Sequence, residues 1–202
     1  VGAGVAYFQA DDGFLYALEA RSGKQRWRAQ VVPTRVVRLP PSDPASRYDR
    51  YGSDVAVAGD RLVLGTHDGR VLCLAASDGS RVWEHGTGGS VLAAPVVAGG
   101  RVWAGSYDGN VVALDATTGR RVWAHDTGKP VVSTPALAGG RVIVGSRSYD
   151  LLGLDAGSGA LDWKQYLWFS WVESSPVIQE GVAYLGSSDA AALLAVDAAT
   201  GR

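Results

Sequence analysis

"DATTGRRVW", Asp115 to Trp123, recurs in variant form along the whole chain. Upstream stand "EARSGKQRW" (Glu19 to Trp27) and "AASDGSRVW" (Ala75 to Trp83); downstream stand "DAGSGALDW" (Asp155 to Trp163) and "DAATGR" (Asp197 to Arg202). Gly79, Gly119 and Gly159 are separated by steps of 40, and Trp83, Trp123 and Trp163 keep the same step. A fixed period of this length signals a repeat architecture, to be recognised before any motif is read for chemistry.

One unit divides into "APVVAGG", "RVWAGSYDG", "NVVALDATTG" and "RRVWAHDTG". Each piece is a short apolar or β-branched run closed by Gly, Asp or Asn, the pattern of a strand and its turn. Four such strands, A to D, in about 40 residues make one blade of a β-propeller. The expected fold is all-β, with four-stranded antiparallel blades and about 4.5–5 blades present. The plan is a partial blade over 1–30, an insertion loop over 31–50, blades over 51–90, 91–130 and 131–171, and a partial blade over 172–202. The insertion, with "LPPSDP" and four arginines, accounts for the 56-residue step from Trp27 to Trp83. Both ends are expected to be cut points in a longer propeller, because an open ring exposes sheet edges.

In the recurring phrase, Asp and Gly flank the C–D turn: Asp accepts from turn amides and Gly takes the positive φ. The Trp then falls at one height on every outer strand. A small residue stands two places before each acid: Ala17, Cys73, Ala113, Gly153 and Ala195. A flat ring and a gap at one register read as a joint between blades, with Trp27, Trp83, Trp123 and Trp163 as its rings. This pattern, complete in Ala113, Asp115, Gly119 and Trp123, resembles the tryptophan-docking motif of the quinoprotein (PQQ-repeat) β-propeller family. The resemblance covers nearly the whole chain outside 31–50. It implies one of three functions: a quinone-dependent dehydrogenase, a protein-assembly scaffold, or the sensor domain of a larger receptor or kinase. It also implies an extracytoplasmic location, periplasmic or at the cell surface.

With 202 residues, 47% hydrophobic and 19% charged, the chain can bury a substantial core. A net charge of −1 gives no footprint for nucleic acid. Apolar runs such as "VLAAPVVA" (Val91 to Ala98) are too short to span a bilayer, so no direct membrane insertion is expected. His67, His85 and His125 lack metal-ligand spacing and read as surface strand residues; Cys73 reads as a buried thiol.

Departures from the repeat point to a site. Where neighbouring blades carry Gly, Thr and Lys, the chain has "LWFSW" (Leu167 to Trp171); "SYDG" becomes "SRSYD", bringing Arg147 and Tyr149. Among residues entering the inner strands, Glu173 and Asp54 are the acidic exceptions. Trp168, Phe169 and Trp171 form a candidate aromatic platform with Arg147 and Glu173 as polar anchors; plugging of a widened blade interface is the competing reading. Glu173 is a candidate calcium ligand only by the resemblance. The leading expectation is a non-catalytic binding or scaffold module, leaning away from an enzyme and from any cofactor, for a protein partner or small ligand. The alternative is a dehydrogenase fragment using PQQ with calcium. Against it, the adjacent cysteine pair of the family's alcohol dehydrogenases is absent.

Overall fold

A computed structural model describes residues 4–33, 53–168, 170–187 and 192–202. Residues 1–3, 34–52, Phe169 and 188–191 therefore lie outside the described residues; the first residues of the expected 31–50 insertion, Val31 and Val32, are buried core instead. The described residues form five antiparallel sheets in chain order, as a partial β-propeller. Sheet one holds β1 (Val5–Gln9), β2 (Phe14–Glu19) and β3 (Gln25–Gln30). Sheet two holds β4 (Ala56–Ala58), β5 (Arg61–Thr66), β6 (Arg70–Ala75) and β7 (Arg81–Gly86). Sheet three runs β8 (Val96–Ala98), β9 (Arg101–Gly105), β10 (Asn110–Asp115), β11 (Arg121–Asp126). Sheet four runs β12 (Ala136–Ala138), β13 (Arg141–Gly145), β14 (Asp150–Asp155), β15 (Leu161–Tyr166). Sheet five has β16 (Val177–Gln179), β17 (Val182–Gly186) and β18 (Leu193–Asp197). Among the described residues no helix is long and apolar enough to cross a membrane.

No sheet has a core of its own. One apolar cluster fills each gap between neighbours: Leu15 with Leu62, Leu64 and Leu72, then Val63 and Val71 with Val102 and Val112, and onward. Middle strands are consequently buried on both faces, as in β10, where Val111 to Leu114 are all inside. Close approach needs small residues. A Cβ on Gly65, Gly105 or Gly145 would collide with Val91, Val131 or Val172 of the next unit. Those valines also donate backbone N–H bonds back, Val91 to Thr66 O (2.9 Å) and Val131 to Ser106 O (3.0 Å). On the inner ring Ala94 N donates to Thr134 Oγ1 (3.2 Å) and Thr134 N to Ser175 Oγ (3.0 Å).

The tryptophans bridge these gaps. Trp27, Trp83, Trp123 and Trp163 donate Nε1–H to the carbonyls of Ala76, Ala116, Ala156 and Ala198 in the following unit, at 2.9–3.1 Å. Their rings lie against the next turn glycine; a Cβ on Gly119 would sit 2.6 Å from Trp83, and φ there is +69°. The small residue belongs to the ring's own sheet: Ala17, Cys73, Ala113 and Gly153 pair in register with the four tryptophans, and each pair is followed by a β-bulge. The turn acids bond as their chemistry requires. Asp115 Oδ1 accepts from Thr117 N, Thr118 N and Thr118 Oγ1, and Asp155 and Asp197 repeat the arrangement.

His125 is a correction. Its Nδ1 lies 3.0 Å from Gly159 O and the ring is half-buried between sheets, because the inter-sheet gap extends past the Trp along the same strand face. Cys73 is a free, buried thiol whose pKa burial raises.

Trp123→Ala is expected to cost about 3–5 kcal/mol of stability, the usual range for a buried aromatic, without altering affinity for a ligand of the opposite face. A melting temperature unchanged within error would refute the joint. A second expectation concerns acid. The hydroxyls of Thr118, Ser158 and Thr200, followed by the turn amides, hold Asp115, Asp155 and Asp197 below the ordinary aspartate value of 3.8. The unfolded chain thus takes up protons that the fold refuses. Their stabilisation is complete above the unfolded value and is lost as pH falls through the folded ones. Comparing Tm profiles between pH 6 and 3 (about this window) for the parent and Asp155→Asn checks it, with a shallower acid limb expected in the variant.

Candidate functional site

The B–C turns and D–A connections share one face of the propeller, at the strand ends opposite the tryptophan turns. In sheets one to three the B–C turn carries Gly13, Gly69 and Gly109, with φ of 88°, 84° and 94°. Sheet four has Tyr149 there, with φ 68°. A left-handed L-residue costs about 1–2 kcal/mol, so this turn holds a ring where glycine would be less strained. Trp168 is also left-handed (φ 39°).

Arg147, at the head of this turn, ties three consecutive units together. Its Nε donates to Glu173 Oε1 (2.7 Å), Nη2 lies 2.6 Å from the same oxygen, and Nη1 donates to Tyr107 Oη (2.7 Å). The guanidinium also stacks on the rings of Trp171 (4.9 Å) and Tyr107 (5.3 Å). The ion pair is largely buried, with side chains 15% and 17% exposed. On the outer side Tyr149 meets Tyr166 edge-on at 6.2 Å, and Tyr166 meets Trp168 at 6.3 Å. Trp168 is 82% exposed.

The structure therefore joins Arg147, Glu173 and Trp171 in one cluster and Tyr149 and Trp168 in a second beside it. Phe169 lies outside the described residues. Asp54 stands exposed at the entrance to β4, in another sheet, and makes no side-chain contact with either cluster among the described residues. Glu173 Oε1 accepts from the Arg147 guanidinium, and the described residues contain no group of three or more His, Cys, Asp or Glu side chains that could hold a metal ion.

Four participants escaped the sequence reading. Tyr107 lies in the "SYDG" turn and Tyr166 closes β15. Ser148 donates to Asp150 Oδ2 (3.0 Å) and accepts from Ser146 Oγ (2.8 Å). Asp150 is buried, with Lys164 Nζ 3.6 Å from Oδ2 and Oδ1 without a hydrogen-bond partner among the described residues. Its signal was an acid where the preceding units have Arg70 and Asn110.

Residues 11–135 and 108–202 match the family model described as "Outer membrane protein assembly factor BamB". Among curated proteins, the quinoprotein ethanol dehydrogenase of Pseudomonas aeruginosa is 33% identical over 102 residues, 48% of this chain and 15% of that protein. The quinohemoprotein alcohol dehydrogenase ADH IIB of Pseudomonas putida is 32% identical over 84 residues, 42% of this chain and 11% of its own. The chain thus spans a small part of either relative. Among solved structures, BamB from Moraxella catarrhalis superposes with a TM-score of 0.78 at 21% identity, over 99% of this chain and 60% of that one. The quinohemoprotein alcohol dehydrogenase of Comamonas testosteroni superposes at 0.72 and 18% identity, over 98% and 40%. These two likenesses show the fold alone.

Tyr149→Gly and Tyr149→Ala separate strain from packing. Glycine relieves the backbone but gives up the Tyr166 contact, worth about 0.5–1.5 kcal/mol, so Tm should stay within a few degrees of the parent (about 1 kcal/mol). Alanine keeps the strain and loses the ring, and should melt lower than the glycine variant. Equal melting of the two would remove the strain argument.

Proposed function

The chain belongs to the PQQ-like repeat family of β-propellers, and from that premise we propose that it is a non-catalytic binding module that presents its B–C and D–A face to a protein partner. The observation that carries this is the pairing at Arg147. The cation, its carboxylate and the Tyr107 hydroxyl satisfy one another, while Trp168 stands 82% exposed beside Tyr166. Trp and Tyr are the residue types enriched at the anchors of protein interfaces. The assembly-factor description of the matching family supports the same reading and an extracytoplasmic location.

A second reading, part of a PQQ- and calcium-dependent dehydrogenase, is favoured by the two segments of 33% and 32% identity. Calorimetric titration of the protein with PQQ, with and without calcium, decides between them. Absence of heat and of any Tm shift is expected. Saturable, calcium-dependent binding would overturn the module reading.

A further inference from the structure

The B–C turns of sheets three and four differ in how they meet the preceding D–A connection. In sheet three the Asp108 carboxylate closes the gap: Oδ2 accepts from Gly88 N at 2.8 Å, and a Cβ on Gly88 would sit 2.7 Å from it. In sheet four Ser148 occupies that place and turns inward to Asp150. Gly128 N donates to Asp126 Oδ1 instead (2.7 Å), and a Cβ on Gly128 would meet nothing within 4 Å. Between the two segments lies a pocket of about 590 Å³, walled by Lys129, Pro130, Arg147, Ser148, Tyr149 and Trp171.

Its chemistry is one-sided. Among the described residues Lys129 and Arg147 line it and no carboxylate does, the acids behind it, Glu173, Asp126 and Asp150, being bonded to Arg147, Gly128 N and Ser148. Arg147 is neutralised by Glu173, whereas Lys129 makes no ion pair among the described residues. Tyr149 and Trp171 supply apolar walls, and the row of rings continues from Tyr149 through Tyr166 to exposed Trp168, about 12 Å along its centroids. That length matches about four residues of extended chain at ~3.3 Å each. A small molecule would use the pocket and leave the row bare; an extended segment uses both.

We propose that this pocket and the adjoining ring row bind an extended acidic peptide segment of a partner protein, a carboxylate seated against Lys129 and apolar side chains laid on Tyr149, Tyr166 and Trp168. The proposal rests on the protein-binding reading above and gives its partner a chemistry. Charge complementarity sets the orientation and the rings supply the area.

The test is fluorescence anisotropy on the intact protein with a fluorescein-labelled peptide of alternating aspartate and leucine residues, beside the same peptide with asparagine for aspartate. Saturable binding of the acidic probe is expected, about tenfold tighter than the asparagine probe and weakening with salt. Lys129→Gln and Tyr149→Gly should each weaken it by about tenfold, with melting curves showing both variants folded. Equal affinity for the two probes, or parental affinity in both variants, overturns the proposal. So does displacement by free benzoate at concentrations comparable to the peptide, which would assign the pocket to small carboxylates. A peptide failure with no PQQ binding strikes this proposal alone; PQQ binding strikes the reading beneath it.

Discussion

An indole clamped between two sheets sets the geometry of this molecule. Each ring lies on a small residue of its own sheet, reaches across to a carbonyl of the next, and is covered by that sheet's turn glycine. All three conditions are steric or hydrogen-bonding requirements at fixed sequence offsets, which is why the 40-residue period is kept so closely. A Cβ on Gly153 would run into Trp163, just as one on Gly159 would run into Trp123. The bulge beside each ring adds local twist where the chain must turn its tryptophan toward the neighbour.

Because sheets lack private cores, stability is a nearest-neighbour property, as in other repeat proteins. The last sheet makes this visible. Ile143 and Leu151 of sheet four are fully buried against sheet five, whereas the register-equivalent Tyr184 and Leu193 are exposed, Leu193 by 81%. The same positions are core or surface according to whether a sheet lies over them. No sheet covers that face among the described residues.

The repeat, the four-strand unit and the four indole positions were legible because they rest on period and residue type. The bulge was not, since one skipped residue in strand D leaves the spacing of Asp, Gly and Trp unchanged. Placement of the small residue was half legible: its register was plain, but only the strand pairing shows that it faces the ring of its own sheet. Arg147, Glu173, Tyr149, Trp168 and Trp171 stood out as breaks in a pattern, which is the strongest signal a repeat offers. Asp54 stood out by the same rule and falls elsewhere, because it enters sheet two, two sheets before the one that carries Arg147. Tyr107 was hidden because it conforms to its own unit; it is recruited by an arginine at the equivalent position one unit later.

That recruitment explains how a regular scaffold tolerates an irregular site. The tryptophan joint sits at the Asp115 end of β10 and its equivalents, while the B–C turns sit at the Asn110 end, about 17 Å away at ~3.4 Å per residue. Substitutions at one end leave the other's contacts intact. In sheet four the change is extensive: aspartate to serine, glycine to a left-handed tyrosine, and an arginine whose charge needs Glu173 from the next unit. Even so, Trp123 and Trp163 keep the bonds made by their counterparts. A loop under no demand but closure would drift toward glycine at position 149, the less costly residue for that backbone. The tyrosine there is left-handed, is braced by a second aromatic, and neighbours Lys129, which makes no ion pair among the described residues.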